Sequence, residues 1–503
     1  MAKRAATFEL ALPPRDPDLS AYRGIYSALR AAILEGRLHP GASLPATRDL
    51  ATQYRLSRGT IVNAVEQLKS EGYVQGRTGS GTYVSNTLPD ELLQVRSNAK
   101  PPLPQEKTKP RNISAYAKRV HLFPTFAPRP SRAFRPNLPA LDLFPTTLWA
   151  QVAARRLRKI STNFLMGCEA LGYLPFRQAV ANYLSTSRGV NCVPEQVAIV
   201  SGAQEALDLV ARLFVNPGDR VCMENPGYIG ATAVFQSFGA KISYVPLDDE
   251  GMKLREGTLR NARLVYVTPG HQFPLGITMS LPRRLQLLES ARKSGTLILE
   301  DDYDSEFRYA GRPVPALQGL DRHGLVLFTG SFSKVLFPSL RLGYLVLPTD
   351  LIDRVSATLS ITRRHAPLME QAILSDFIVA GHFGRHLRRM RQIYAERLSV
   401  LLDCARQNLT GLLEIEGIEA GLQTVGWLKR GVNSESAAAA AAKRNVEVIP
   451  LSFYSQGNIA SNGLQLGFAA IDTREIRRGV HDLAIALEQA MKAPNRQVTQ
   501  RSF

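Results

Sequence analysis

Residues 329–343 read TGSFSKVLFPSLRLG. Lys334 follows two serines, Ser331 and Ser333, and Arg341 stands seven positions on, with apolar chain on both sides. A lysine in such surroundings either lays its stem along an apolar surface or is held for chemistry. Desolvation or nearby cations lower its pKa and turn it into a nucleophile that forms an imine with a carbonyl. The pattern SxSK also arises by chance, so its meaning depends on what else the chain brings to the same place.

Three further strand ends supply matching residue types. In VAIVSGAQEALDLVARLF (197–214), a strand-like run passes through Ser201, Gly202, Ala203 and Gln204 into a helix, whose first amides attract anions. Ser331, Ser333 and Arg341 can complete that cradle. In TLILEDDYDSEF (296–307), Leu297–Leu299 read as a buried strand with Asp301 just past its carboxyl end, where open α/β sheets place ligands. Tyr303, two residues on, points the same way. In ENPGY, Tyr228 follows the strand RVCME and can stack on a ring face. Pyridoxal phosphate asks for this set: an anchored phosphate, a carboxylate at the pyridine nitrogen (Asp301), a donor to the phenolic oxygen (Tyr303) and an amine for the aldehyde (Lys334). Each element alone is weak, since DDYD is commonly a solvated loop. Their consistent order at strand ends carries the reading.

The remaining chain divides into zones. At 503 residues it is too long for one core, and 45% hydrophobic with 21% charged residues is the balance of a soluble globular protein. A net charge of +19 favours a polyanionic partner without naming one. Cys168, Cys192, Cys222 and Cys404 lie far apart with no CxxC spacing, which argues against a metal site or disulfide framework and fits a reducing cytoplasm. No apolar run approaches the ~20 residues of a membrane helix, and the N-terminus has no signal-peptide core. Residues 1–85 are compactly patterned; 86–136 are basic and proline-rich and read as a linker; 137–490 alternate strands and helices as an α/β domain does; 491–503 form a tail. From Arg96 to Pro136 ten Lys/Arg stand against one acid, Glu106, so the linker is a solvated tail or an auxiliary contact to DNA phosphates.

In the first zone, LSAYRGIYSALRAAILEG (19–36) places Tyr22, Ile25, Tyr26, Leu29 and Ile33 on one helical stripe, stopped by Gly36 and Pro40-Gly41. A short helix follows Pro45. Ser57 can cap a third, with Ile61, Val62, Val65 and Leu68 inward and Arg58, Gly59, Thr60 and Asn63 outward. That is helix-turn-helix spacing, with outward residues suited to base edges and phosphates in a major groove. YVQGRTGSGTYV (73–84) then reads as a hairpin wing turning at Thr78-Gly79-Ser80, with Arg77 placed to reach a minor groove.

ILEGRLHPGASLPATRDLA and LSRGTIVNAVEQLKSEGYVQGRTGSGTYV resemble the winged helix-turn-helix of the GntR family of bacterial regulators. The resemblance implies DNA contacts from Arg48, from Arg58 and from the wing around Arg77 and Gly79, with Ser57, Thr60 and Asn63 alongside. Gly59 departs from the threonine frequent there. SGAQEALDL, ENPGY, TPGHQFPLG, EDDYDSEFRY, SFSKVLFPSLRLGY and GHFGRHLRRMR resemble the fold-type I, aspartate aminotransferase-like domain of the MocR/GabR subfamily, over about residues 143–487. The fold class implied is therefore multidomain, a mainly α winged head plus an α/β fold-type I domain. It implies that Lys334 attaches pyridoxal phosphate, Asp301 pairs with the pyridine nitrogen, Tyr303 with the phenolic oxygen, Ser331 and Arg341 hold phosphate and Tyr228 stacks. It also implies a homodimer, head-to-tail and domain-swapped, on double-stranded operator DNA in a bacterial cytoplasm, associated with the nucleoid.

Two departures matter. Phe273 stands where aminotransferases of this fold carry the asparagine of an NPTG-like segment, with His271 and Gln272 as polar substitutes. Gln465, in NGLQLGFA, stands where amino-acid-binding members often have an arginine that clamps the substrate carboxylate. Arg363 and Arg364 are the candidate replacements, or else the effector is not a simple amino acid. The expected function is a transcriptional regulator whose cofactor domain senses a small amine, an amino acid or pyridoxal phosphate itself. The alternative is an active aminotransferase with a DNA-binding appendage.

Overall fold

The computed structural model describes residues 20–77, 81–88, 111–122, 132–311, 314–429, 431–457 and 462–492. The chain forms two compact units, Met1–Arg111 and Asn112–Phe503.

In the first unit, α1 (Ala21–Leu34) buries Ile25, Ala28, Leu29, Ala32 and Ile33, the expected stripe widened by two alanines, while Tyr22 and Tyr26 pack at its margin. α2 (Thr47–Gln53) buries only Leu50, so it is held by one side chain and its turn. α3 (Arg58–Ser70) starts where Ser57 accepts the Thr60 amide at 3.1 Å, and it buries Ile61, Ala64, Val65 and Leu68. Val62, expected inward, is half-buried. β1 (Val74–Arg77) and β2 (Gly81–Val84) pair antiparallel, with Val74 opposite Val84 and Arg77 opposite Gly81. Thr78, Gly79 and Ser80 lie outside the described residues.

The second unit begins within the stretch expected to be structureless linker. Ser114 caps a short helix, Ala115–Arg119, that docks on the helix Ile229–Ser237: the Tyr116 ring meets Phe238 edge-on at 5.2 Å and Arg119 Nε donates to the Ser237 carbonyl at 2.9 Å. Further on, Phe134 is fully buried and its carbonyl accepts the Gly467 amide at 2.8 Å. Proline spacing excludes long regular elements but not one capped turn or a buried anchor, which is why the end of that stretch is part of the fold.

The central sheet has eight strands in the order β3-β10-β9-β8-β7-β4-β5-β6. These are β3 (Val197–Val200), β4 (Arg220–Asn225), β5 (Lys241–Asp248), β6 (Gly251–Met252), β7 (Ala262–Val267), β8 (Leu297–Asp302), β9 (Val326–Ser331) and β10 (Gly343–Val346). β5, β4, β7, β8 and β9 are mutually parallel; β10 runs antiparallel to both β9 and β3, so β3 points the same way as β9. Buried on both faces, the central strands are continuous apolar runs such as Val326–Phe328. The carboxyl ends of β3, β4, β8 and β9 therefore share one edge of the sheet. β8 is longer than expected: Asp301 pairs with Thr329 of β9 inside the ladder rather than following the strand, because β9 itself continues to Ser331.

A second, antiparallel sheet, ordered β11-β12-β14-β13, comprises β11 (Leu413–Ile415), β12 (Gln423–Leu428), β13 (Ile449–Pro450) and β14 (Gly463–Gly467). The helices His382–Asn408 and Thr473–Lys492 contribute Met390, Leu401, Ile476 and Leu483 to the core that this sheet shares. No helix of the described residues is long and apolar enough to cross a membrane.

Candidate functional site

The site assembles where those strand ends meet. Gly202 caps the helix Ala203–Phe214 with φ 122°, a conformation L side chains rarely adopt. The amides of Ala203 and Gln204 open the helix, where no intrahelical acceptor exists for them. Arg341, itself at φ 50°, lays its guanidinium across this end: Nη1 is 3.6 Å from where a Cβ on Gly202 would stand. Ser331 ends β9 beside Gly343, and its Oγ accepts the Ser333 amide at 3.2 Å. The structure thus brings Gly202, Ala203, Gln204, Ser331, Ser333 and Arg341 to one corner, whose donors can receive an anion.

At the other end, Asp301 is buried, and its Oδ2 accepts the Tyr266 hydroxyl at 2.7 Å while Oδ1 has no hydrogen-bond partner. Burial pushes the Asp301 carboxyl up to about 7, against the pull of Tyr266. Lys334, half-buried as a residue, is lowered to about 8 by the burial of its amine, opposed by Asp304 and Asp301. Its Nζ donates to the Asn137 carbonyl at 2.8 Å, and the Asn137 amide donates to Gln423 Oε1 at 2.9 Å.

His271 joins two members of the site. Its Nδ1 lies 2.8 Å from Asp304 Oδ1 and 2.9 Å from the Tyr303 hydroxyl. A carboxylate only accepts, so Nδ1 carries the proton, the Tyr303 oxygen shares it as acceptor, and the O–H of Tyr303 is left to donate elsewhere. Burial, with Asp304 and Asp301 nearby, holds that hydroxyl protonated well above its usual range. Gly421, at φ 98°, makes this possible, because a Cβ there would overlap the His271 ring. Gly421→Ala is expected to cost about 1–3 kcal/mol of stability and to displace His271; a cofactor titration paired with thermal melts checks both, and unchanged values for each would separate His271 from the site.

Of the two polar substitutes beside Phe273, only His271 faces Tyr303; Gln272 instead donates to Glu224 at 3.3 Å and to the Pro226 carbonyl at 3.0 Å. Phe273 packs edge-on against Tyr228, Tyr303 and Tyr454. Tyr228 is also held by Gln204 Nε2, 2.8 Å from its hydroxyl, so the cradle and the aromatic wall are one network. Neither candidate clamp arginine replaces the missing one within this chain: Arg363 is paired with Glu205 and the Ile199 carbonyl, and Arg364 is exposed at φ 64°. The sequence reading missed Tyr266, Asp304, Asn137 and Gln423. Tyr266 alone was detectable, as a hydroxyl in a buried strand that must find a partner.

The DNA-facing candidates sit on the first unit. Arg48, Ser57, Arg58, Asn63 and Arg77 are exposed and Thr60 is half-buried. Ser57 and Thr60 are tied to each other, Oγ to Oγ1 at 2.8 Å, so their first task is to start α3. The Arg77 guanidinium lies over the Tyr83 ring at 4.8 Å, which fixes it on the wing. Gly79 lies outside the described residues.

The orphaned Asp301 oxygen, the donor at Tyr303, the amine at Lys334 and the open helix end beside Arg341 match the pyridine nitrogen, phenolic oxygen, aldehyde and phosphate of pyridoxal phosphate. The residues fit that cofactor. The family described as bacterial regulatory proteins, gntR family, matches residues 21–84, and the aminotransferase class I and II family matches residues 143–483. The chain is 39% identical to the probable rhizopine catabolism regulatory protein MocR of Rhizobium meliloti, over 95% of this chain and 97% of that protein. It is 31% identical to the pyridoxine biosynthesis transcriptional regulator PdxR of Corynebacterium glutamicum, over 94% and 97% respectively. Among solved structures it resembles the α-aminoadipate aminotransferase LysN of Thermus thermophilus, complexed with N-(5'-phosphopyridoxyl)-L-leucine, with TM-score 0.65 and 30% identity over 71% of this chain and 92% of that one. A kynurenine aminotransferase of Pyrococcus horikoshii matches with TM-score 0.67 and 27% identity, over 72% and 92%.

Proposed function

The chain belongs to the MocR-type branch of the gntR family of bacterial regulators, a DNA-binding winged head joined to a pyridoxal phosphate-dependent aminotransferase-like domain, and on that premise we propose that this transcriptional regulator senses a small primary amine at Lys334. What carries the reading is a set of side chains that fits this cofactor in the same chain as a winged helix-turn-helix. Bound pyridoxal phosphate supplies an aldehyde that condenses with amines, on a ring that withdraws electrons. Asp301 Oδ1 would pair with the ring nitrogen and Tyr303 would donate to the phenolic oxygen. Ser331, Ser333, Arg341 and the amides after Gly202 would hold its phosphate, and Tyr228 would stack on its ring. Lys334, near neutrality at about 8, gives up or takes a proton as its attachment changes.

The regulatory step requires that an amine favour one arrangement of the domains over another, since only differential affinity shifts a population. In our reading the assembly is a head-to-tail, domain-swapped homodimer, so that two winged heads meet spaced half-sites. Domain limits of 1–85, 86–136, 137–490 and 491–503 belong to the same proposal. Operator footprinting of the cofactor-loaded protein, with and without candidate amines, tests it; DNA affinity unchanged by every amine would overturn sensing. Arg58→Ala in that assay is expected to weaken specific binding by roughly 1–3 kcal/mol. Weakening that is equal on all sequences would make Arg58 a phosphate contact instead.

A further inference from the structure

The effector end of the site carries two buried amides with atoms left over. Gln423 and Gln465 lie on neighbouring strands, and since Gln423 pairs with Gly467 and Val425 with Gln465, they share one face as diagonal neighbours. That face is turned to the cofactor constellation: Val425 packs with Phe273 and Tyr454, and Gln423 Oε1 holds the residue whose carbonyl receives Lys334. Both glutamines are almost fully buried. Gln465 Nε2 has no hydrogen-bond partner, and Gln423 Nε2 has none but the Tyr303 hydroxyl, which it faces. A buried polar atom with nothing to bond is costly and rare, so Gln465, beside the Gln423 amide that faces Tyr303, offers a place for a ligand group.

The orientation of Gln423 is fixed, because its Oε1 accepts a backbone N–H, which cannot itself accept; the atom turned to Tyr303 is therefore a donor. Gln465 meets the Tyr454 hydroxyl at 2.8 Å, and a hydroxyl can serve as donor or acceptor. Whichever way that amide turns, one atom is left, and a ligand group able both to donate and to accept satisfies it in either case. A carboxylate only accepts. Among the described residues it would also find three buried or half-buried arginines already engaged: Arg363 is held by Glu205, Arg135 by Glu447 and Arg397 by the Ala469 carbonyl. Asp301, Asp304 and Glu224 are the buried acids already nearby.

We propose that the ligand is an amine whose far end is a neutral oxygen group, a hydroxyl or an amide, received by the side-chain amides of Gln423 and Gln465, and that an α-carboxylate is disfavoured there. This rests on the amine-sensing reading and narrows it to a substrate class. The test uses the full-length protein loaded with pyridoxal phosphate and three amines of one carbon skeleton: alanine, alaninol and alaninamide. Capture is read from the change in the visible spectrum and from thermal shift. Alaninol or alaninamide is expected to half-saturate at a concentration at least about tenfold below alanine, and the better of the two tells hydroxyl from carbonyl. Gln465→Arg should reverse the order, and Gln465→Met should bring the three within about twofold. The wild-type order decides even where a variant fails to fold. Alanine bound as well as or better than its neutral partners, or capture of none of the three, overturns the inference while leaving the cofactor reading intact. Protein that takes up no borohydride-fixable cofactor would instead remove the reading on which it rests.

Discussion

Lys334→Ala protein, supplied with pyridoxal phosphate, is expected to purify without the visible band and to gain no cofactor mass after borohydride reduction, while melting as a folded protein. The loss should be complete, since attachment needs an amine and, among the described residues, Lys334 is the lysine placed beside Asp301, Asp304 and Asn137. Alanine removes a buried ammonium that burial already disfavours, so the fold tolerates the change better than loss of a packed apolar side chain. The phosphate cradle is untouched, and weak, dialysable binding should persist through Gly202 and Arg341. A pH dependence accompanies this result. The amine attacks only when neutral, and it is lowered to about 8, so the wild-type attachment rate should rise with pH and level off above about 8. A rate that keeps climbing to pH 10 would place Lys334 in a wetter setting than the structure gives it. Persistence of the band in the alanine variant would move the attachment to another residue.

How much of this was legible in the sequence depends on how local each signal is. The winged head was readable nearly whole: Ser57 announces α3, Gly36 and Pro40-Gly41 close α1, and the stripe of Ile25, Leu29 and Ile33 needs no distant partner to be recognised. The cofactor anchors were readable for a related reason. Asp301, Lys334 and Gly202 lie at or just past the carboxyl ends of β8, β9 and β3, and strands that run the same way bring such ends to one edge whatever their order in the sheet. Asn137, Gln423 and Gln465 were not readable as a set. They arrive from the residue just after the supposed linker and from two strands of the smaller sheet, and a single amide in an apolar strand has no periodicity to betray its partner. The docked helix Ala115–Arg119 was hidden by its basic, proline-rich neighbours, whose composition says what cannot form and not what one capped turn can do.

Asp301→Asn should move two measurements in opposite directions. In cofactor-free protein the carboxyl is pushed up to about 7, chiefly by burial, from an unfolded value of 3.8. A raised carboxyl binds its proton more tightly folded than unfolded, so the native state is penalised as pH rises from about 4 and bears the full penalty above about 7. Asparagine carries no charge and can still accept the Tyr266 hydroxyl, which is 2.7 Å from Asp301 Oδ2. The cofactor-free variant should therefore match wild type near pH 4 and melt higher at pH 8, by an amount reflecting a few kcal/mol. With pyridoxal phosphate the order inverts. The orphaned Oδ1 no longer offers a negative partner to a protonated ring nitrogen, and truncating one side of a buried charged pair costs about 2–5 kcal/mol, so cofactor affinity should fall at least about thirtyfold. Thermal melts across pH give the first result and cofactor titration the second. Since lost packing alone would lower both, only a carboxylate waiting unpaired for a cation predicts that removing it strengthens the empty protein and weakens the loaded one.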